Sequence, residues 1–186
     1  MAESALSRIG TDLFLLHLQQ YYFWLYFVND FRGGRLEKMN VQTITLPEEL
    51  QAAFSIRKQV FVEEQGVPLA DEFDDYDTLD GQCRHVLAYY DGQPVGTGRI
   101  RAFEGKGKLE RICILAPYRK FGIGKLIINT LEEMAVQNGY SGVKLHGQSQ
   151  AKGFYEKLGY QTSSAEFMED GIPHFLMTKA ISASQV

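Results

Sequence analysis

Arg119-Lys120-Phe121-Gly122-Ile123-Gly124 runs directly into Lys125-Leu126-Ile127-Ile128, and the apolar run Ile112-Cys113-Ile114-Leu115 precedes it. Read in order, this is a strand, a glycine-bearing turn headed by an arginine, and the first turn of a helix. Such a turn aims free backbone N–H groups and the positive end of a helix dipole at one point, a seat for a diphosphate or other anion. Gly122 and Gly124 let the backbone approach the anion with no Cβ between them. The P-loop pattern is excluded, because Arg119 stands where its first glycine belongs and Leu126, not Ser or Thr, follows Lys125. The dinucleotide fingerprint is excluded because Ile127 holds the place of its third glycine. The alternative to an anion seat is an ordinary glycine turn before a core helix.

Working outward from this turn, the chain alternates strand and helix signals. Val41 to Leu46 has the two-residue period of a strand. Pro47-Glu48-Glu49 opens a helix, with Leu50, Phe54, Arg57 and Phe61 along one face and an end before Gly66. An acidic loop follows, from Asp71 to Asp77. Arg84–Tyr90 and Val95–Phe103 read as a hairpin closed by Asp91-Gly92. Gly105 to Lys108 reads as a second turn, and Leu109–Leu115 as the strand feeding the anion turn. Gly122–Gln137 reads as an amphipathic helix with Ile127, Leu131, Met134 and Ala135 inward, closed by Asn138-Gly139. Val143–His146 is a short strand, Gln150–Leu158 a helix closed by Gly159, and His174–Ile181 a last strand. The order β-α-β-β-β-α-β-α-β, with hairpins first and a βαβ unit after, predicts an α+β domain with a mixed sheet.

Bulk properties narrow the function. The 186 residues suffice for one domain with a real core, and net charge −4 gives no electrostatic support for a nucleic-acid partner. Two cysteines, Cys83 and Cys113, make neither a disulfide framework nor a zinc quartet, which points to a reducing, cytoplasmic compartment and no metal. The first 38 residues differ from the rest. Leu13 to Val28 is charge-free, aromatic and 16 residues long, short of the ~20 a spanning helix needs. It reads as a docking or dimerisation helix, a membrane-surface helix, or a leader foreign to the domain. With Arg32-Gly33-Gly34-Arg35 as a linker, residues 1–38 form an appendage and residues 39–186 the domain.

A second motif, Phe154-Tyr155-Glu156-Lys157-Leu158-Gly159-Tyr160, follows the turn at a helix's distance. Arg119-x-x-Gly122-x-Gly124 and this run together resemble the GNAT superfamily of N-acetyltransferases, over nearly all of Met39 to Ile181. The resemblance implies the GNAT fold, acetyl-CoA as co-substrate and a small-molecule or peptide amine as acceptor. It implies that Arg119, Lys120, Phe121, Gly122, Ile123, Gly124 and Lys125 cradle the pyrophosphate. The strand Ile112-Cys113-Ile114 then pairs with pantetheine and supplies an oxyanion donor. Tyr155 protonates the departing thiolate; its alternative is packing. Glu110, at the start of that strand, is a candidate general base, or else a solvated glutamate. His146 is a second candidate base, or a structural histidine. Gln148 and Gln150 stand where the family places a polar contact to pantetheine or acceptor.

Ile56 to Gln65 and Glu72 to Asp77 resemble the ElaA-like and YjcF-like bacterial branch, and also acyl-homoserine-lactone synthases of the same fold. On that resemblance Arg57, Asp74 and Asp75 are substrate candidates. Arg57 is alternatively one half of an ion pair with Asp74, Asp75 or Asp77. A non-catalytic CoA-binding module is the reading from another class.

Overall fold

The computed structural model describes residues 39–181. The expected N-terminal appendage lies outside the described residues. Strands β1 (Met39–Thr43), β2 (Cys83–Tyr90), β3 (Gln93–Phe103), β4 (Lys106–Ile114), β5 (Gly142–Gln148), β6 (Gln161–Thr162), β7 (Phe167–Glu169) and β8 (Ile172–Ala180) form one mixed sheet. Its order is β1-β2-β3-β4-β5-β8-β6, with β7 also on β8. All neighbours are antiparallel except β4 and β5. Helix α1 (Pro47–Arg57) runs on as a π-helical stretch, Lys58–Glu64, and the short α2 is Leu69–Glu72. Helix α3 (Ile123–Gln137) follows a 3-10 turn at Ala116–Phe121, and α4 (Lys152–Lys157) follows another at Ser149–Ala151.

The expected α+β order is present, with differences at the edges. The predicted turn at Gly105–Lys108 is only Glu104-Gly105, since β4 already starts at Lys106. The predicted helix from Gln150 starts at Lys152. Two short strands, β6 and β7, intervene before β8.

Three two-residue hairpins share one chemistry. Asp91-Gly92, Glu104-Gly105 and Asp170-Gly171 all have positive φ at both residues, the backbone that matches strand twist.

The sheet is covered on both faces. Ile123, Ile127, Ile128, Leu131 and Ala135 of α3 pack on Val86, Ala88, Leu109, Val143 and Leu145. Leu50, Ala53, Ile56 and Val60 pack with Leu87 and Cys113 on the opposite face. The buried face of α1 therefore follows Leu50, Ala53, Ile56 and Val60; Phe54 and Phe61 of the predicted face are only partly buried.

One irregularity positions the site. Arg99 faces Glu110 and Thr97 faces Cys113, so β4 carries an extra residue between them. Arg111 sits in that bulge at φ 53°, an uncommon backbone for a side chain of its size. Beyond the bulge, β4 no longer pairs with β5. Their parallel contact is confined to Gly107–Val143 and Lys108–Lys144.

Candidate active site

The loss of pairing after Lys108 leaves a gap between the second halves of β4 and β5. Leu115 donates its N–H to Val95 at 2.9 Å, and Thr97 faces Cys113. By alternation the backbone of Cys113 faces β3, while Ile112 and Ile114 present theirs to the gap. Of the three predicted strand residues, Cys113 is thus turned away, and its side chain is buried toward α1.

The start of α3 lies at the end of this gap. Gly122 takes φ 82°, which lets the chain pass from the 3-10 turn into the helix, and no side chain caps the helix start. The first N–H groups of α3 are therefore left for an external acceptor, apart from that of Lys125, which donates to the Gly122 carbonyl at 3.1 Å. Arg119 does not reach toward them. Its guanidinium holds Glu64 through both carboxylate oxygens at 2.6 Å, and its Nε donates to the Ile114 carbonyl at 2.9 Å. Arg119 thus ties the turn to the helix arm that ends at Glu64. Phe121 stacks on Tyr90 at 4.7 Å between ring centres, and Lys120 lies 5.5 Å from the Phe121 ring.

Helix α4 brings the second motif to the same place. A Cβ on Gly124 would lie 3.3 Å from both Ile114 Cδ1 and Phe154 Cζ, so turn, strand and α4 converge there. Phe154 is 38% exposed, and Tyr155 is the buried member of the pair. Its ring lies against Gly147 of β5, where a Cβ would be 3.1 Å from two ring carbons. Burial pushes the Tyr155 phenol up to about 12, and its hydroxyl has no partner among the described residues.

The acidic loop is not a solvated loop. Arg57 is 2% exposed and binds Glu72 at 2.6 Å and Asp77 through both nitrogens. Arg99, equally buried, binds Asp74 at 2.6 and 2.8 Å, Asp77 at 2.8 Å and Glu110 at 3.1 Å. Arg101 and Lys108 hold Glu110 at 3.0 and 2.8 Å. Arg111 caps the Glu72 carbonyl at 3.1 Å. Burial would raise the Asp74 and Glu110 carboxyls, but the guanidinium of Arg99 for Asp74, and the bonds from Arg101 and Lys108 for Glu110, override it and hold each at about 2. A carboxylate that weakly basic is a poor proton acceptor at neutral pH, so the geometry counts against Glu110 as general base. Asp75 stays exposed with no partner among the described residues.

On β5, Leu145 faces α3, so His146 and Gln148 face the other side. Gln148 donates to Gln65 at 2.8 Å and accepts from Gln150 at 2.9 Å. His146 Nδ1 meets Glu169 of β7 at 2.9 Å, with Phe167 edge-on at 5.0 Å.

The acetyltransferase (GNAT) domain family matches residues 47–181. The chain belongs to the GNAT acetyltransferases. YyaT of Bacillus subtilis is 60% identical over 144 residues, covering 77% of this chain and 97% of YyaT. YjcF of the same organism, named as an uncharacterized N-acetyltransferase, is 45% identical over 71% of this chain and 93% of its own. The crystal structure of Escherichia coli ElaA superposes with a TM-score of 0.68 at 25% identity, over 76% of this chain and 99% of ElaA. The expected GNAT fold and N-acetyltransferase activity are thereby established.

Within this N-acetyltransferase, the sequence reading missed Glu169, Gln65 and Glu64, the partners of His146, Gln148 and Arg119. Glu169 had a usable signal: Asp170-Gly171 repeats the Asp91-Gly92 turn and marks a hairpin. Gln65 and Glu64 had none, being 83 and 55 residues from their partners. Among the described residues no helix is long and apolar enough to cross a membrane.

Proposed function

We propose that the acyl donor is acetyl-CoA, seated between β4 and β5 with its pyrophosphate at the start of α3, and that the acetyl group passes directly to a primary amine. The observation that carries this reading is the convergence at Gly124. The uncapped helix start, the edge of Ile112 and Ile114 that β5 leaves unpaired, and the helix bearing Tyr155 meet there.

The residues present fit such a donor. N–H groups from Phe121 to Gly124 bind the pyrophosphate, where the helix dipole adds up to ~2 kcal/mol, while the Lys125 N–H stays on the Gly122 carbonyl. The open edge of β4 pairs with the pantetheine amides and offers an N–H to the carbonyl oxygen as charge develops on it. Direct attack is supported by the cysteines. Both are buried, and burial pushes their thiols up, Cys83 to about 12, so neither supplies a thiolate to carry an acyl group. Tyr155 stays protonated across the working range. Full proton transfer from a phenol at about 12 to a thiolate near ~8.5 is uphill, so Tyr155 acts by donating a hydrogen bond to the leaving sulfur.

The test is thiol release from acetyl-CoA with a panel of polyamines, amino acids, peptides and aminoglycosides. Tyr155→Phe is expected to lower turnover by ~100-fold, with coenzyme A still bound. Full turnover by Tyr155→Phe would reduce Tyr155 to packing. Tight coenzyme A binding without release from any amine would favour a binding module. Release only with long acyl donors and S-adenosylmethionine would favour a lactone synthase.

A further inference from the structure

With Glu110 saturated by Arg99, Arg101 and Lys108, the site needs another group to take the proton of an amine that arrives as an ammonium ion. The described residues offer one on the same side of the sheet. His146 lies on β5 beyond the last β4–β5 pair, so it borders the gap. Its side chain is 30% exposed, neither buried in the core nor free in solvent. Nδ1 lies 2.9 and 3.0 Å from the two oxygens of Glu169. A carboxylate only accepts, so Nδ1 carries the hydrogen and Nε2 carries the lone pair. Nε2 has no partner among the described residues. Phe167 stands edge-on to the ring and fixes its plane.

We propose that His146, oriented by Glu169, is the general base that deprotonates the acceptor amine, with Glu169 as its positioning residue. The inference rests on the acetyl-CoA reading above and adds the acceptor side of that same gap. Nε2 removes one proton from the ammonium. The amine nitrogen then bonds to the thioester carbonyl carbon, the C–S bond breaks, and the second amine proton ends on the sulfur. His146 returns its proton to solvent.

The charges around the ring set its behaviour. Glu169 of β7 is the anion in contact with it. His174 of β8 lies 4.0 Å from Glu169, and the charge of Lys108 on β4 also favours the Glu169 anion. Through its hydrogen bond, His146 holds the Glu169 carboxyl below the usual range. Glu169 therefore stays an anion through neutral pH and favours the imidazolium once the proton has moved.

The experiment uses the full chain, acetyl-CoA and whichever amine of the panel above gives the fastest thiol release. Coenzyme A binding is measured in parallel by calorimetry. His146→Gln should lose about 100-fold in kcat, a low-end contribution for a general base, with Kd for coenzyme A changed by less than about twofold. Glu169→Gln, which keeps the size of the side chain, should lower kcat about tenfold with KM for the amine little changed, because the carboxylate that holds Nδ1 and orients the ring is gone. An unchanged kcat in His146→Gln overturns this inference and leaves the donor site intact. Wild type that binds no coenzyme A, or releases no thiol with any amine, overturns the donor reading and this one together. A separate arm needs no acceptor. Imidazole 15N resonances of the neutral ring should show the His146 proton on Nδ1; a proton on Nε2 overturns the assignment.

Discussion

The α1 face of β4 and its edge toward β5 treat polar groups in opposite ways. On the α1 side, Arg57 and Arg99 are sunk in the interior and nearly every donor is matched to Glu72, Asp74, Asp77 or Glu110. At the gap, the start of α3 is uncapped and the edge of Ile112 and Ile114 is unpaired by β5. Saturated charge holds a fold together; unsatisfied backbone donors are what a ligand can use. The acidic loop looks more like a substrate site in sequence, yet its chemistry is used up internally, while the helix start after the glycine turn has no side-chain cap.

Breaking the closed side should cost the most. Arg99→Leu leaves Asp74, Asp77 and Glu110 short of a buried cation, and removing one partner of such a cluster costs ~3–5 kcal/mol. Urea unfolding should show this loss, with coenzyme A affinity of the folded fraction little altered. A result in which affinity falls and stability holds would reverse the roles of the two regions.

Acid should act on the same side. Asp74, Asp77 and Glu110 have folded pKa values below their ordinary ones, Asp74 and Glu110 at about 2. Their stabilisation is complete above their unfolded values, near ~4, and is lost as pH falls toward the folded ones. Glu72 runs the other way: burial lifts it despite Arg57, so its protonation offsets part of the loss. The urea midpoint should be clearly lower at pH 3 than at pH 6. An unchanged midpoint would mean the network adds nothing to stability.

The open side should respond in binding. Gly124→Ala places a methyl 3.3 Å from Ile114 and Phe154 at the anion seat. Coenzyme A is expected to bind ~10-fold more weakly, about 1.4 kcal/mol. Stability should barely change, since alanine's helix preference of ~1 kcal/mol offsets the crowding. Arg119→Ala should have the smallest effect. Its pair with Glu64 is 43% and 41% exposed on the two side chains, so stability should drop by no more than ~1 kcal/mol. Affinity should fall less than in Gly124→Ala, because the Arg119 charge is already spent on Glu64.

Local features were legible in the sequence and long-range ones were not. The Asp91-Gly92 turn, the period of α3 and the Arg119–Gly124 turn are written within a few residues each. The arginine network joins positions 9 to 40 residues apart, such as Arg101 with Glu110, Arg57 with Glu72 and Arg111 with the Asp71 carbonyl. No local pattern marks which acid meets which arginine. The bulge at Arg111 has no glycine to announce it, and without it Glu110 reads as a free strand-end carboxylate.

The central claim is that the donor occupies the gap and leaves the charged side alone. Backbone amide resonances followed during a coenzyme A titration test it most directly. The account predicts the largest shifts at Phe121 to Leu126 and at Ile112 and Ile114, with Glu72 to Asp77 almost still. Shifts centred instead on the acidic loop, or on the surface depression lined by Lys106, Gly142, Gln161 and Lys179 at the paired end of β4 and β5, would contradict it.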